Sequence, residues 1–395
     1  MQAEQIQTLA HSFEAEMIAI RRHLHQYPEL SFEEYQTAAF VKEKLIEFGI
    51  STVKEIAGTG LVAMIEGQNP NRKTIALRAD LDALPIIEQN DIPYRSQNEG
   101  KMHACGHDVH TSCLLIAAKI LHETRSEWEG SIKLIFQPGE EKLPGGASIL
   151  IKEKVLENPN VNAVIGQHVM PFLPVGTVGF RSGLYMASAD ELYIEIKGKG
   201  GHGAMPHLCL DPVPVAAQIV SALQQIISRK NNPLVPSVLT IGKVIANGAT
   251  NVIPDKVSME GTFRSFDETW RSKAHIEIEK TCKQIAEAAG LTAQVNIVKG
   301  YPFLYNNPQI TENAKLAAIA YLGADKVVDL DAWMASEDFA YYSQIAPATF
   351  YRLGTGNLEK GIVHGVHHPQ FNIDEAALKI GAGLMAWIAI QELQH

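Results

Sequence analysis

Four cysteines in 395 residues (Cys105, Cys113, Cys209 and Cys282) are too few and too scattered to build a disulfide-held fold. A chain of this length buries a core without them, and they read as reduced thiols, which suits a cytoplasmic protein. Basic charge is scarce as well. Lys and Arg number 34 against 44 Asp and Glu, a net charge of −10, and no basic run is longer than two residues, as in Arg21-Arg22. That argues against a nucleic-acid groove or an anionic membrane surface, both of which call for clustered cations. Long apolar runs are missing too. The longest uncharged one, 380–390, has eleven residues, where a bilayer crossing needs about 20. The opening MQAEQIQTLAHSFEAEM is polar and lacks the apolar core of a secretory leader. Histidine, by contrast, is plentiful, at 15 residues, and points to a metal.

Apolar residues at Ile6, Leu9, Phe13, Met17, Ile20 and Leu24 predict an amphipathic helix over 6–24, and a second helix over about 33–48 should stop at Gly49. Short β-rich runs at 60–67, 74–80, 131–137 and 162–168 alternate with helical patterns at 108–123 and about 145–156. This rhythm predicts an α/β domain with a mostly parallel sheet flanked by helices. Near Ser188 the order changes: strand 191–198, helix 212–229, strands 237–246 and 256–264, helix 268–289, strand 292–298. Such a β-α-β-β-α-β succession matches a ferredoxin-like α+β sandwich. A helix at 311–322, a strand near 348–353 and a terminal helix at 374–393 then restore the first rhythm. The expected organisation is a discontinuous catalytic domain, 1–186 and 300–395, with an inserted domain at 187–299.

Ligands of open α/β sheets gather beyond the carboxyl ends of the strands, so the residues following each strand carry the search for chemistry. Asp80 and Asp82 follow one strand, Glu140 and Glu141 the next, and His168 ends a third. His364, His367 and His368 follow the strand near 348–353. The segment MHACGHDVH opens a helix and holds Cys105, His107, Asp108 and His110. Singly, each is an ordinary packed or solvated residue. Together they need a shared cation, because buried carboxylates and imidazoles need partners. A thiolate, several imidazoles and a carboxylate suit Zn²⁺, with Mn²⁺, Co²⁺ or Ni²⁺ also accommodated. Glu140 and Glu141 can divide labour, one ligating metal and the other serving as general base to a metal-bound water.

The strings RRHLHQYPELSFEE, LRADLDALP, MHACGHDVHT, FQPGEE, GQHVMP, KGKGGHGAMPH, GATNVIPD, GTFRSFD, ASEDFAYY and HHPQFNIDE occur in this order over nearly the whole chain. With them the sequence resembles the amidohydrolase branch of the metallo-aminoacylase/carboxypeptidase family, which includes hippurate hydrolases, N-acetyl-diaminopimelate deacetylases and plant auxin–amino-acid conjugate hydrolases. The resemblance implies two divalent metal ions held by Cys105, His107, Glu141, His168 and His367, with His368 the alternative to His367. It implies Glu140 as general base, and Asp80, Asp82 and Glu337 as residues orienting the ligands, although Glu337 reads equally as a helix-start acid. From the inserted domain it implies His202 as donor to the amide carbonyl oxygen, reaching the partner subunit's site in a homodimer, with Asn251 and Arg264 on the substrate. The implied reaction is hydrolysis of N-acyl amino acids.

Of the other histidines, His23 and His25 read as structural and His11, His122 and His275 as exposed, while His103 and His110 flank the ligands. GKGGHG lacks the helix of a dinucleotide fingerprint. Three rival readings differ in chemistry: a dipeptidase or carboxypeptidase of the same family, a cysteine hydrolase built on Cys105, and a non-catalytic binding protein.

Overall fold

A computed structural model describes residues 2–395. The chain first makes α1 (Ala3–Ser12), α2 (Glu14–Gln26), α3 (Tyr35–Glu47), β1 (Lys54–Ile56), β2 (Gly60–Glu66), β3 (Thr74–Asp80), α4 (His107–Glu123), β4 (Ser131–Gln137), α5 (Gly146–Lys152), β5 (Ala163–Pro174), β6 (Val178–Phe180) and β7 (Gly183–Met186). Next come β8 (Asp190–Lys197), β9 (Gly201–His202), α6 (Pro212–Gln225), β10 (Ser237–Ile245), β11 (Val252–Ile253), β12 (Lys256–Ser265), α7 (Glu268–Ala288) and β13 (Thr292–Lys299). The return leg adds β14 (Leu304–Asn306), α8 (Pro308–Leu322), β15 (Val327–Asp329), α9 (Ala340–Ser343), β16 (Ala348–Gly356) and α10 (Ala376–Gln394).

Two compact units result. One runs to Tyr185 and resumes over Tyr305–Ala332 and Asp338–His395; the other comprises Met186–Leu304 and Trp333–Glu337. Residues 333–337 therefore pack with the second unit, not with the segment 300–395 to which the sequence assigned them. The cause is local bonding: Ala187 N–H donates to the carbonyls of Trp333 and Ala335, and Arg264 Nη1 donates to Ser336 Oγ at 3.1 Å.

The first unit is an α/β layer structure around an eight-stranded sheet of order β1-β2-β4-β3-β5-β16-β6-β15. Its middle strands β4, β3, β5 and β16 all run parallel. Every residue of β3, β4 and β16 is buried, as parallel strands covered on both faces must be. Register sets where these strands end. Asp80 pairs with Gln137 at the carboxyl ends of β3 and β4, and with Arg78 opposite Gly166 and Arg352 opposite His168 the register sets His168 beside those ends, part-way along β5, which continues to Pro174. The terminal helix α10 is long and apolar enough to cross a membrane by length and composition, a test the shorter uncharged run 380–390 had not met. Here α10 is a core helix, packed on α1, α4 and α8.

The helix expected over 6–24 is two helices. The backbone leaves helical geometry at Phe13 (φ −95°, ψ 4°), which lets α1 follow α10 while α2 follows α4. The helix expected at 145–156 ends at Lys152. Beyond it the Val155, Glu157 and Pro159 carbonyls turn inward to accept from Lys133 Nζ at 2.9, 2.8 and 3.0 Å, so the chain wraps a buried ammonium instead of continuing the helix.

The second unit has a four-stranded antiparallel sheet of order β10-β12-β8-β13, the ferredoxin-like arrangement. Alternation along β8 turns Leu192, Ile194 and Ile196 into a core shared with residues of α6 and α7. Both helices start on an aspartate cap: Asp211 accepts from Val213 N–H and Asp267 from Trp270 N–H. His275, read from the sequence as exposed, is half-buried. Its Nε2 lies 2.6 Å from Asp190 Oδ2, because Asp190 and Arg271 close the end of the sheet where the chain enters and leaves.

One buried polar contact ties α2 to the first turn of α4. Arg21 Nε donates to Asp108 Oδ2 at 2.8 Å; His25 Nδ1 lies 2.8 Å from the same oxygen, and His25 Nε2 lies 3.1 Å from Glu88 Oε1. Burial would raise the Asp108 carboxyl, but Arg21 and His25 outweigh it and hold it far below the usual carboxylate range. Removing one partner of such a pair strands a buried charge, so Arg21→Met should lose about 3–5 kcal/mol in denaturant unfolding at neutral pH. Because the folded-state value is depressed, this contribution is present above the unfolded carboxyl's value of about 4 and fades as pH falls below it. Equal unfolding midpoints for the two proteins at pH 7 would contradict the assignment.

Candidate metal centre

This register places the polar residues of five segments around one volume. Asp80 closes β3 and Asp82 follows. Glu140 and Glu141 stand in the turn after β4. Its Gly139 (φ +57°) could carry no side chain, because a Cβ would meet the Phe32 ring at 2.4 Å. Cys105 and His107 flank Gly106, whose φ of +84° and whose approach to Val169 Cγ2 (2.6 Å from a built Cβ) again demand glycine. His168 lies on β5. His367 comes from the loop after β16, held at φ +66° by donating its N–H to Ala104 carbonyl at 2.7 Å. A non-glycine residue in that region costs about 1–3 kcal/mol and marks a position that its surroundings enforce.

Hydrogen bonds fix which atoms point inward. His107 Nδ1 donates to the Asp82 carbonyl (2.8 Å) with Asp82 Oδ1 at 3.2 Å, and His168 Nδ1 donates to the Val169 carbonyl (2.8 Å). Both rings therefore turn Nε2 toward Cys105. Cys105 Sγ is 3.4 Å from His168 Nε2. Donor atoms of Cys105, His107 and His168 lie within 4.8 Å of one another, as do those of Cys105, Glu141 and His367, and of His107, Glu140 and Glu141. His107 Nε2 and Glu141 Oε1 are buried without a hydrogen-bond partner, the state of atoms that await a cation. Asp80, His107 and His110 form a further group, but protein contacts already engage two of its members. Asp80 Oδ1 takes His110 Nδ1 (2.6 Å), Asp80 Oδ2 takes Arg78 Nη1 (2.6 Å), and His110 Nε2 accepts from Val169 N–H (2.9 Å). His368 stacks on His364 with centroids 4.1 Å apart, while His367 Nε2 lies 3.3 Å from Glu141 Oε1.

Asp82 contacts two of these candidates at once: its Oδ2 accepts from Glu141 N–H (2.9 Å) and from Ser31 Oγ (2.6 Å) while Oδ1 faces His107. The electrostatics call for positive charge. Burial lowers the His107 imidazolium, yet Asp80, Asp82 and Glu141 outweigh it and push it up to about 10. Burial first, then Glu141, Glu140 and Asp80, push the Cys105 thiol well above its usual range. A thiol among carboxylates is a poor free nucleophile and a good ligand once a cation is present, which counts against the cysteine-hydrolase reading. Burial, with Arg352 and His110, keeps His168 neutral.

The remaining sequence candidates belong to the second unit. His202 and Asn251 come together there: β9 pairs with β11 through His202 and Val252, and Gly203 N–H donates to the Asn251 carbonyl at 2.8 Å. Both are exposed. Arg264 on β12 is half-buried, its Nε donating to Thr262 Oγ1 at 3.1 Å. Glu337 is buried in the segment that packs with this unit. Sequence reasoning missed Arg78, Gln137, Asp338 and Glu34. Glu34 Oε1 accepts Gly139 N–H at 2.8 Å and so braces the turn that carries Glu140. Arg78 did leave a signal, as the one cation in the apolar strand TIALRAD.

Residues 76–391 match the peptidase family M20/M25/M40. The chain belongs to that family. It is 44% identical over 367 residues to the N-acetyl-L-cysteine deacetylase of Bacillus subtilis strain 168, covering 93% of this chain and 86% of the relative. It is 44% identical over 301 residues to the N-acyl-L-amino acid amidohydrolase of Geobacillus stearothermophilus, covering 76% and 80%. The solved structure of a dinuclear metal binding peptidase of family M20 from Bacillus subtilis superposes with a TM-score of 0.82 at 36% identity, covering 97% of this chain and 99% of that one. The donor cluster of this M20 hydrolase is thus its candidate centre for divalent metal.

Loading that centre must remove protons, since His107 and Cys105 both hold theirs at neutral pH without a cation. Metal uptake by the stripped protein should therefore release protons from both groups. Affinity should rise with pH toward about 10, where His107 loses its proton unaided, and titration calorimetry in buffers of different ionisation enthalpy measures this. Asp82→Asn should weaken metal binding about 10- to 100-fold; pH-independent uptake, or unchanged affinity in the variant, would contradict the geometry.

Proposed function

We propose that the protein hydrolyses the amide bond of N-acyl amino acids, releasing a free amino acid and a carboxylic acid. The observation that carries this reading is the convergence of Cys105, His107, His168 and Glu141 on one volume with Glu140 beside them, its Oε2 4.0 Å from His107 Nε2. In this reading Cys105, His107, Glu141, His168 and His367 hold two divalent ions, zinc or manganese, with cobalt or nickel able to replace them. When bound, such ions polarise an amide carbonyl and acidify water.

Glu140 takes the proton of the attacking water and returns it to the departing amine. Asp80 and Asp82 keep His110 and His107 in place, and Glu337 supports the same region. His202 donates to the carbonyl oxygen as it gains charge. Arg264 and Asn251 contact the substrate, the guanidinium being suited to its free carboxylate. The second unit acts as a lid and as the surface of a homodimer, through which His202 serves the partner's site. The four unpaired cysteines fit a cytoplasmic location.

Glu140→Gln should keep its metal while kcat falls about 10²–10⁴-fold, with N-acetyl- and N-benzoyl-amino acids turned over in preference to dipeptides. Chelation should abolish activity, and Zn²⁺ or Mn²⁺ should restore it. An active Glu140→Gln protein would sink the mechanism; a preference for dipeptides would reassign the substrate to the family's peptidases.

A further inference from the structure

Beneath the metal ligands lies a second buried network that has no part in the hydrolytic steps themselves. All three arms of the Arg78 guanidinium are engaged: Nε donates to Gln137 Oε1 at 2.9 Å, Nη1 to Asp80 Oδ2 at 2.6 Å and Nη2 to Asp338 Oδ1 at 2.8 Å. Arg78, Gln137 and Asp338 are all shut off from solvent. Besides Arg78, the Asp338 carboxylate accepts from Gln137 Nε2 on both oxygens at 2.8 Å and from Ala147 N–H at 3.0 Å.

The placement of these donors is informative. Gln137 precedes Glu140 by three residues at the end of β4, and Ala147 follows it by seven in the first turn of α5. One carboxylate therefore gathers both ends of the turn that carries Glu140. The Asp338 main chain closes on the turn directly, its N–H donating to Glu140 Oε1 at 3.4 Å. A bond of that length is of the kind that tightens when substrate is bound.

We propose that Asp338 is a positioning residue for Glu140: its side chain pins the turn at Gln137 and Ala147, its N–H aims the Glu140 carboxylate, and Arg78 couples this clamp to Asp80 behind the metal ligands. The inference rests on Glu140 being the base. A carboxylate is required at 338 because several N–H groups face it. Asparagine offers one oxygen and an NH₂ group, which would set donor against donor at Gln137 Nε2 or Ala147 N. The turn would then relax, and a displacement of about 1 Å in a reacting group can cost about 10²-fold in rate.

The test is a double-mutant cycle on the metal-loaded full chain, with metal content by elemental analysis and thermal midpoints measured alongside. Asp338→Asn is expected to lower kcat about 10- to 100-fold with KM within about twofold and metal content unchanged. In a Glu140→Asp background, where the carboxylate is drawn back from the Asp338 N–H, the same substitution should cost less than about threefold. Should Asp338→Asn lose metal or fail to fold, Gln137→Glu takes its place in the same cycle. It keeps the oxygen that Arg78 and Tyr342 use but turns an acceptor toward Asp338. Unchanged kcat, or an equal cost in both backgrounds, overturns the proposal. An active Glu140→Gln enzyme would instead remove the reading on which it rests.

Discussion

Buried negative charge at the carboxyl ends of parallel strands is the constraint around which this molecule is organised. Asp80, Asp82, Asp108, Asp338 and Glu140 are all buried at or behind one edge of the sheet, and carboxylates are costly to remove from water without compensation. Part of the compensation is internal. Arg78 serves Asp80 and Asp338, Arg21 serves Asp108, and His110 serves Asp80. The remainder faces inward, where His107 is driven to keep a proton and Cys105 to keep its thiol. A divalent cation resolves that imbalance, which is why the same residues read as ligands by geometry and by charge.

The scaffold makes this tolerable by anchoring candidate ligands from behind. Nδ1 of His107 and of His168 is committed to a backbone carbonyl, and the backbone of Glu141 is tied to Asp82. His367 is held to Ala104 in a backbone conformation that few residues adopt. Two glycines, Gly106 and Gly139, let the main chain pass where a side chain would collide. Each device removes freedom from a side chain that would otherwise collapse onto a neighbouring charge, so the arrangement is set before any ion arrives. The second unit is assembled on different terms, with an apolar core of its own and a polar cluster, Asp190 with Arg271 and His275, at the base of its sheet.

Periodicity made most elements legible. Parallel strands covered on both faces announce themselves as unbroken apolar runs, and the alternation along 191–198 gave the inward face of the second sheet. Legibility failed where a distant group redirected the backbone. Lys133 draws in the carbonyls after Lys152 and ends a helix early, and the two packing partners of α1 and α2 break what sequence spacing presents as one helix. Residues 333–337 are claimed by the second unit through bonds from Ala187 and Arg264, which no local pattern encodes.

The sequence by itself determined the chemistry available: strand ends carrying carboxylates, a Cys-Gly-His at a helix start, histidines after two further strands, and acidity exceeding basicity. These are local facts, carried by residue type and spacing. Only the tertiary structure decided which atoms share a volume and which are already spent. Asp80 and His110 look as competent as Cys105 and His168 in the sequence, yet both nitrogens of His110 are spent on Asp80 and Val169 N–H, and each Asp80 oxygen is already turned to His110 or Arg78. His367 and His368 are neighbours in the chain, and only one lies beside Glu141. The physical reason is that lone pairs are finite and directional. Whether one remains for a cation depends on contacts between residues far apart in the chain, and spacing along it carries no record of them.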